Sequence, residues 1–169
     1  VNALSKLNAK NVILVEADSM RVLYEKDAHV KRSNASTTKI LTAIVAIEMG
    51  NTEEVVTVSQ KAANIGGSTI NLRRNEKIKL LDLLYGLMLK SGNDAAVAIA
   101  EHIGGSVDEF MELVNKKAKE IGAQNTHFTS PHGLDNPDHY STAYDLALIT
   151  SYCMKNDLFR DIVSTAETY

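Results

Sequence analysis

The sequence predicts a mixed α/β (α+β) fold in which one antiparallel hairpin precedes a series of helices. Two short runs rich in β-branched residues, 12–15 and 21–25, flank the turn-prone residues 17–19, which is the pattern of a β-hairpin. From residue 38 onward, apolar residues recur mainly at helical spacing. The 169 residues include only two prolines and no low-complexity tract. We therefore expect one domain, or most of one, without an internal linker.

The first predicted helix covers residues 38–49 and is apolar on every face. Gly50 and Asn51 follow it and predict its end. A helix without a polar face belongs in the middle of a domain, surrounded by other elements. Its apolar positions are Ile40, Ile44 and Ile47 on one face and Leu41, Val45 and Ala46 on the others.

The rest of the chain is predicted to alternate helices with loops. Asn93 or Asp94 is expected to cap the helix that follows the break at Ser91-Gly92, and Ser106 the next one. Because a two-stranded hairpin is barely stable alone, we also expect the front hairpin to join further sheet. The predicted elements are a strand at 55–58, a polar loop at 64–74, helices at 79–89, 95–103 and 106–121, a loop at 126–142, and helices at 142–154 and 158–163.

Composition and charge exclude several classes of protein. The formal net charge of -3 and the absence of tryptophan provide neither the basic surface nor the aromatic platform that nucleic-acid-binding proteins use. No apolar run reaches the length of a membrane span. The single cysteine, Cys153, rules out an internal disulfide, and we interpret it as a core residue rather than a reactive thiol. Because the chain begins with Val1 and no signal segment precedes it, we expect a processed or trimmed chain.

Ser36 and Lys39 form an S-x-x-K pattern at the start of the buried helix. Residues at i and i+3 share one helix face, and the positive end of the helix dipole favours negative charge on the serine oxygen. A lysine drawn into apolar surroundings more readily offers a neutral amine, the base that a serine nucleophile needs. Taken alone, however, the pattern is explained more simply by a capping serine and a lysine that reaches to solvent.

A second polar cluster, Lys90-Ser91-Gly92-Asn93-Asp94, interrupts two apolar helices. A tight turn that contains glycine can direct a hydroxyl and a carboxamide into a cleft, and a carboxamide offers both a donor and an acceptor to a peptide bond. A plain connection between two helices with an asparagine cap is the simpler interpretation of this cluster alone. The two clusters together in one chain are a less common combination.

Three segments together resemble the low-molecular-weight penicillin-binding proteins of the serine D-alanyl-D-alanine carboxypeptidase family. They are ASTTK at 35–39, DLLYGLMLKSGNDAAVAIAEHIGG at 82–105 and SPHGLDNPDHYSTAYDLALI at 130–149. The resemblance extends in order from the front hairpin to Tyr152. It implies a β-lactamase/DD-peptidase-like catalytic fold and a location outside the cytoplasm of a bacterium. Gly92, at the centre of the second motif, resembles the carboxypeptidase branch rather than the class A β-lactamases.

The resemblance also implies a role for each motif residue. Ser36 would attack the carbonyl between the two terminal D-alanines of a peptidoglycan stem peptide, and Lys39 would accept the serine proton. Ser91 would pass a proton to the leaving amine, while Asn93 would bind the substrate amide and orient Lys39. The backbone N–H of Ser36 would be one oxyanion donor. Penicillins are expected to acylate Ser36 and inhibit the enzyme, and no metal or cofactor is implied.

The third motif of this family, K-T-G, is absent from the chain. In the family it lies on a strand after the helical region and supplies a second oxyanion donor, a hydroxyl for the substrate carboxylate and a second lysine. We therefore expect residues 1–169 to be the N-terminal portion of one catalytic domain. The remainder would be on a second polypeptide or absent, and the isolated chain inactive or poorly folded. Asn75 stands where the family usually has glycine, and we expect only an altered turn there.

Three alternative functions remain open from the sequence. A class A β-lactamase uses a loop glutamate for deacylation, and the corresponding loop here, 126–142, contains none. A non-catalytic module that binds β-lactams or peptidoglycan is compatible with the absent third motif. An endopeptidase that cleaves D-alanine cross-links is a close variant of the carboxypeptidase.

The histidines of loop 126–142 suggest one further interpretation. His127, His132 and His139 fall in this loop with Asp135 and Asp138, which could be drawn as a metal site. The chain contains neither H-E-x-x-H nor C-x-x-C spacing, and turn-forming residues separate the histidines, so we expect no metal. The resemblance places the loop beside the active-site cleft, where His132 would touch substrate or, more simply, fix the loop by a hydrogen bond.

Overall fold

The computed structural model describes residues 12–16, 18–32, 35–133 and 136–167, without the side chains of residues 12, 14, 24, 35, 36, 166 and 167. Two short antiparallel sheets accompany seven helices in this part of the chain. The elements are β1 (Val12–Val15), β2 (Val22–Lys26), α1 (Ala35–Met49), β3 (Val55–Thr57), α2 (Gln60–Ala63), β4 (Lys77–Lys79), α3 (Leu80–Lys90), α4 (Asn93–Gly104), α5 (Val107–Ile121), α6 (Ala143–Cys153) and α7 (Asp157–Glu167).

The front hairpin has the strands that the sequence predicts. β1 and β2 pair antiparallel, with Val12 opposite Lys26, and the register shifts between Leu14 and Val15. Within the described residues this sheet has two strands, so the expected additional sheet is not observed there. The segment after β2 contacts the start of α6: the Tyr144 N–H donates to the carbonyl oxygen of Ala28 at 2.9 Å.

Helix α1 is the centre of the domain, as its apolar sequence predicts. Helices α3, α4, α5, α6 and α7 all contact it, and residues 41–46 are at most 1% exposed. The helix begins at Ala35 rather than at the predicted residue 38, so Ser36 and Lys39 both lie within its first turns. Packing from every side explains why threonines with low helix propensity are nevertheless helical here.

The second sheet contains a strand that the sequence analysis did not predict. β3 pairs antiparallel with β4, and Val56 lies opposite Ile78. We expected residue 79 to begin a helix, whereas α3 begins at Leu80, directly after β4. The short helix α2 within the segment between these strands was also missed; the Ser59 hydroxyl caps it by accepting from the Ala62 N–H. Val56 is 1% exposed, so the sheet closes one side of the core.

Two further predictions concern single residues. The Ser106 hydroxyl accepts a hydrogen bond from the Glu109 N–H and caps α5, as predicted. Cys153 is fully buried on α6, which confirms its interpretation as a core residue. Burial, together with the negative charge of Glu48, raises the pKa of its thiol to about 12. The thiol is therefore protonated at neutral pH and is not a nucleophile.

Asn75 occupies a turn that requires a left-handed backbone, with φ of 67°. Asparagine tolerates this conformation better than residues with larger side chains, although glycine adopts it without cost. We expect Asn75→Ala to lower the free energy of unfolding by about 1 kcal/mol and Asn75→Gly to leave it unchanged or slightly higher. Urea denaturation measures both, with Arg74→Ala as the control at a neighbouring exposed residue. Equal stability of the alanine and glycine variants would contradict this account of the turn.

Candidate active site

The first turns of α1 present the S-x-x-K residues to the rest of the domain. Ser36 lies in the first turn, and Lys39 follows at i+3 on the same helix face. The side chain of Ser36 lies outside the described part of the structure. The positive end of the α1 helix dipole lies at this position, which favours negative charge there.

Lys39 is nearly buried, with 9% of its surface exposed. Its ammonium group donates a hydrogen bond to the carbonyl oxygen of Ser91 at 2.7 Å. Burial lowers the pKa of Lys39 below its ordinary value, because the charged form loses hydration that one neutral carbonyl replaces only in part. The two motifs that the sequence singles out are thus joined through this lysine.

The turn at Ser91 is set by its backbone. Ser91 ends α3 in the left-handed conformation, with φ of 51° and ψ of 39°, and it is exposed. A Cβ added at Gly92 would lie 3.1 Å from Asp94 Oδ1 and 3.3 Å from Ile70 Cγ2, so glycine fits the next position best. A non-glycine residue held with positive φ is a source of strain that often marks a functional site.

Asn93 is buried rather than projecting freely into a cleft. It is 4% exposed, and its side-chain Nδ2 donates to the carbonyl oxygen of Gly66 at 2.9 Å. Gly67 approaches so closely, with φ of 81°, that a Cβ there would lie 2.5 Å from Asn93 Nδ2. The ammonium group of Lys39 donates to Ser91, and the role of Asn93 in orienting Lys39 stays a prediction. The substrate-binding role remains a prediction.

Asp94 is a site-supporting residue that the sequence analysis missed. We expected Asn93 or Asp94 to cap α4, but the N-cap is Gly92 and both residues lie inside the helix. The Asp94 carboxylate, 1% exposed, accepts from the N–H groups of Ile70 (3.0 Å), Leu72 (2.9 Å) and Ala95 (2.9 Å). It thereby attaches residues 66–72, which we call the 66–72 loop, to the start of α4. The sequence signal for this role was the position of the carboxylate directly before a run of apolar residues, because a carboxylate buried there needs hydrogen-bond donors.

The loop 126–142 forms another wall beside α1. Thr38 Oγ1 and His139 Nε2 are 2.6 Å apart, and the Thr42 hydroxyl donates to the carbonyl oxygen of Pro131 at 3.0 Å. His132 is 9% exposed; burial, followed by the positive charges of Lys39 and Lys61, lowers its pKa. His132 and Lys39 are therefore close enough for their charges to interact.

The histidines of this loop have separate partners. His132 Nδ1 lies 3.3 Å from the Ser130 hydroxyl, which also accepts from the Gly133 N–H, and this geometry favours a loop-fixing bond. His127 Nδ1 contacts the carbonyl oxygen of Asp138 at 2.7 Å. Across the described residues, no three side chains of the metal-binding types cluster. Asp135, part of the metal hypothesis, lies outside them.

None of the helices in the described ranges is both long and apolar enough to cross a lipid bilayer.

The class of protein follows from the central helix and the turn that faces it. Lys39, whose pKa is lowered by burial, joins the first turns of the central helix to the turn that contains the second motif. A helix-centred α/β domain with an S-x-x-K motif facing an S-x-N motif is the arrangement typical of the β-lactamases and penicillin-binding proteins.

Comparison with known proteins specifies the family. The sequence profile of the D-alanyl-D-alanine carboxypeptidases matches residues 1–169, and the chain belongs to this family. The chain is 40% identical over 166 residues to the D-alanyl-D-alanine carboxypeptidase DacF of Bacillus subtilis. That match covers 95% of this chain and 43% of the relative. The resemblance inferred from the motifs is therefore confirmed.

Solved structures agree on the fold. A D-alanyl-D-alanine carboxypeptidase from Mycobacterium tuberculosis superimposes with a TM-score of 0.87 at 35% identity, covering 91% of this chain and 59% of that one. A Streptomyces DD-transpeptidase superimposes with a TM-score of 0.88 at 36% identity, covering 93% of this chain and 65% of that one. The predicted DD-peptidase-like fold is confirmed, and the chain spans about two fifths of the Bacillus relative.

Proposed function

We propose that this chain carries the nucleophile, base and proton-transfer residues of a serine-type D-alanyl-D-alanine carboxypeptidase. The observation that supports it most directly is the buried amine of Lys39, with a lowered pKa, bonded to the turn that contains Ser91. A neutral amine at this place can accept the proton of a serine one helical turn away. A lysine serving only as a surface charge would gain nothing from this burial.

The proposed reaction has two steps. In the first, the Ser36 oxygen attacks the carbonyl carbon between the two terminal D-alanines, and Lys39 accepts the serine proton. The peptide C–N bond then breaks, and the departing D-alanine amine receives a proton through Ser91. In the second, a water oxygen attacks the ester carbon while Lys39 accepts its proton. The C–O bond to Ser36 breaks, the proton returns to Ser36, and a shortened peptide acid is released.

The substrate and location follow from the family and are part of the proposal. The proposed substrate is a peptidoglycan stem peptide ending in D-Ala-D-Ala, which lies outside the cytoplasmic membrane of a bacterium. Asn93 would bind the substrate amide through its carbonyl group, because its nitrogen is bonded to Gly66. Penicillins would form a slowly released ester with Ser36. No cofactor takes part in these steps.

The domain boundary is a separate proposal. We propose that residues 1–169 are the N-terminal portion of one catalytic domain, since the chain covers 43% of the Bacillus carboxypeptidase. A strand with a K-T-G motif would complete the site, supplied by the same polypeptide or a second one. The exposed apolar residues Val22 (40%) and Leu23 (52%) of β2 support this proposal, because additional strands could cover them.

The test uses the full product of the gene that encodes this chain. We expect a fluorescent penicillin to label the wild-type protein covalently and to be released slowly. We also expect the protein to release D-alanine from a peptide ending in D-Ala-D-Ala. Ser36→Ala should abolish both the label and the release of D-alanine, because it removes the hydroxyl proposed as the nucleophile. Ser164→Ala, at an exposed serine of α7, is the matched control and should retain both.

Other outcomes would contradict the carboxypeptidase. Rapid turnover of penicillin would indicate a β-lactamase, although loop 126–142 lacks the glutamate that class A enzymes use. Cleavage of cross-linked peptides without release of terminal D-alanine would indicate an endopeptidase. Penicillin retained without a covalent bond would leave a binding module. Labelling that persists in Ser36→Ala would exclude Ser36 as the nucleophile.

A further inference from the structure

His139 connects loop 126–142 to the helix that bears the S-x-x-K residues. Its ring is 1% exposed and Thr38 is fully buried, so the 2.6 Å contact between Thr38 Oγ1 and His139 Nε2 is shielded from water. The two residues are 101 positions apart in the chain. Thr38 lies between Ser36 and Lys39 on α1, and none of the reaction steps described above uses it or His139.

The other contacts of His139 determine which nitrogen carries the proton. The Thr129 N–H donates to His139 Nδ1 at 3.0 Å, so this nitrogen presents a lone pair. In the neutral ring the hydrogen is then on Nε2, which donates to the Thr38 hydroxyl oxygen. Phe128 stacks on the ring with centroids 4.7 Å apart. The ring is held in one orientation and one tautomer.

A hydrogen bond at Thr38 acts on both proposed catalytic residues. Ser36 and Lys39 belong to the same helical turn as Thr38, so a rotation of that turn would move the serine and the amine together. The Lys39–Ser91 bond of 2.7 Å depends on that rotation. Catalytic groups must be held within fractions of an ångström of their productive geometry, and support by neighbouring rigid residues provides this.

We propose that His139 is a positioning residue for acylation, which fixes the first turns of α1 against loop 126–142 through Thr38. The inference rests on the proposed function, because it concerns the rate at which Ser36 is acylated. His139 does not touch substrate in this proposal. It sets the relative placement of Ser36, Lys39 and the carbonyl of Ser91.

The experiment compares variants of the full gene product by the rate of acylation with a fluorescent penicillin at saturating concentration. We expect Thr38→Val and His139→Phe each to slow this rate by about 100-fold, the effect of roughly 1 Å of misplacement. The penicillin concentration that gives half-maximal rate should change little. His139→Gln keeps a donor and an acceptor, and should recover most of the rate.

Two further variants separate positioning from stability. The double variant Thr38→Val with His139→Phe should be no slower than either single variant, since both remove the same bond. Ser106→Ala removes the hydroxyl that caps α5 and none of the contacts described for His139. It should lower the free energy of unfolding by about 1 kcal/mol while acylation stays at the wild-type rate.

The outcomes are decisive in both directions. Folded Thr38→Val and His139→Phe proteins that acylate at the wild-type rate would overturn the inference, as would additive losses in the double variant. An equal loss of acylation rate in Ser106→Ala would show that lowered stability is responsible, and would also overturn the inference. If the wild-type protein is not acylated at all, the proposed function fails instead, so the two failures are distinguishable.

Discussion

Lys39→Met is expected to slow penicillin acylation by about 1,000-fold or more, the upper part of the range for loss of a general base. The side chain is of similar length and apolar, so it fits the nearly buried position. It removes the amine that burial has shifted toward its neutral form. We expect the variant to be at least as stable as the wild type at neutral pH, because the cost of burying a charge disappears. Stopped-flow labelling and urea denaturation measure the two effects.

The pH dependence of the wild type follows from the same lowered pKa. Between the folded-state pKa of Lys39 and its ordinary value of 10.5, the unfolded state binds more protons than the folded state. The free energy of unfolding contributed by this group therefore rises with pH across that window, and is lowest below the folded-state pKa. Acylation should rise as the pH passes through the folded-state pKa, where the amine becomes neutral, and level off above it. Lys39→Met should lack both trends.

Lys39→Arg is the companion variant, because a guanidinium cannot deprotonate in a protein. It should fold less stably than Lys39→Met and show equally slow acylation. Acylation of Lys39→Arg at the wild-type rate would show that a neutral amine is unnecessary, and would remove Lys39 from the role of base.

Asp94→Ala is expected to lower the free energy of unfolding by about 3 kcal/mol, the typical cost when buried N–H groups lose a charged acceptor. Ile70 and Leu72 would lose the carboxylate that holds the 66–72 loop. We also expect slower acylation, since that loop holds the Asn93 side chain through Gly66. Chemical denaturation and penicillin labelling of the full gene product measure these effects.

Asp108→Ala is the matched control for Asp94→Ala. Asp94 and Asp108 both occupy the second position of their helices, α4 and α5. Asp108 is exposed, so its replacement should cost about 0.5 kcal/mol through the helix dipole alone. Similar losses in the two variants would show that the helix-terminal charge, and not attachment of the 66–72 loop, accounts for the effect of Asp94.

Long-range pairing explains where the sequence predictions of the fold fell short. The apolar surface of α1 and the hairpin β1–β2 were predictable, because periodicity and turn residues are local signals. Strand β4 was missed because it consists of one isoleucine between two lysines. Its strand conformation depends on pairing with β3, which its own three residues do not predict. The start of α1 at Ala35 was likewise decided by packing rather than by propensity.

The supporting contacts of the site were hidden for a related reason. Asp94 accepts from backbone N–H groups of Ile70 and Leu72, and every non-proline residue has such a donor. The residue types of the 66–72 loop therefore do not predict its contact with Asp94. His139 was noticed only as one of three histidines in a loop, and its partner Thr38 is 101 residues away.

The sequence by itself determined the family, the S-x-x-K and S-G-N motifs and the burial of α1, because each depends on residue identity and short spacing. Only the tertiary structure decided what Lys39 contacts and that burial lowers its pKa. Those properties depend on the dielectric surroundings and hydrogen-bond partners that distant segments bring together. The same holds for the bond between Thr38 and His139, which exists only when loop 126–142 lies against α1.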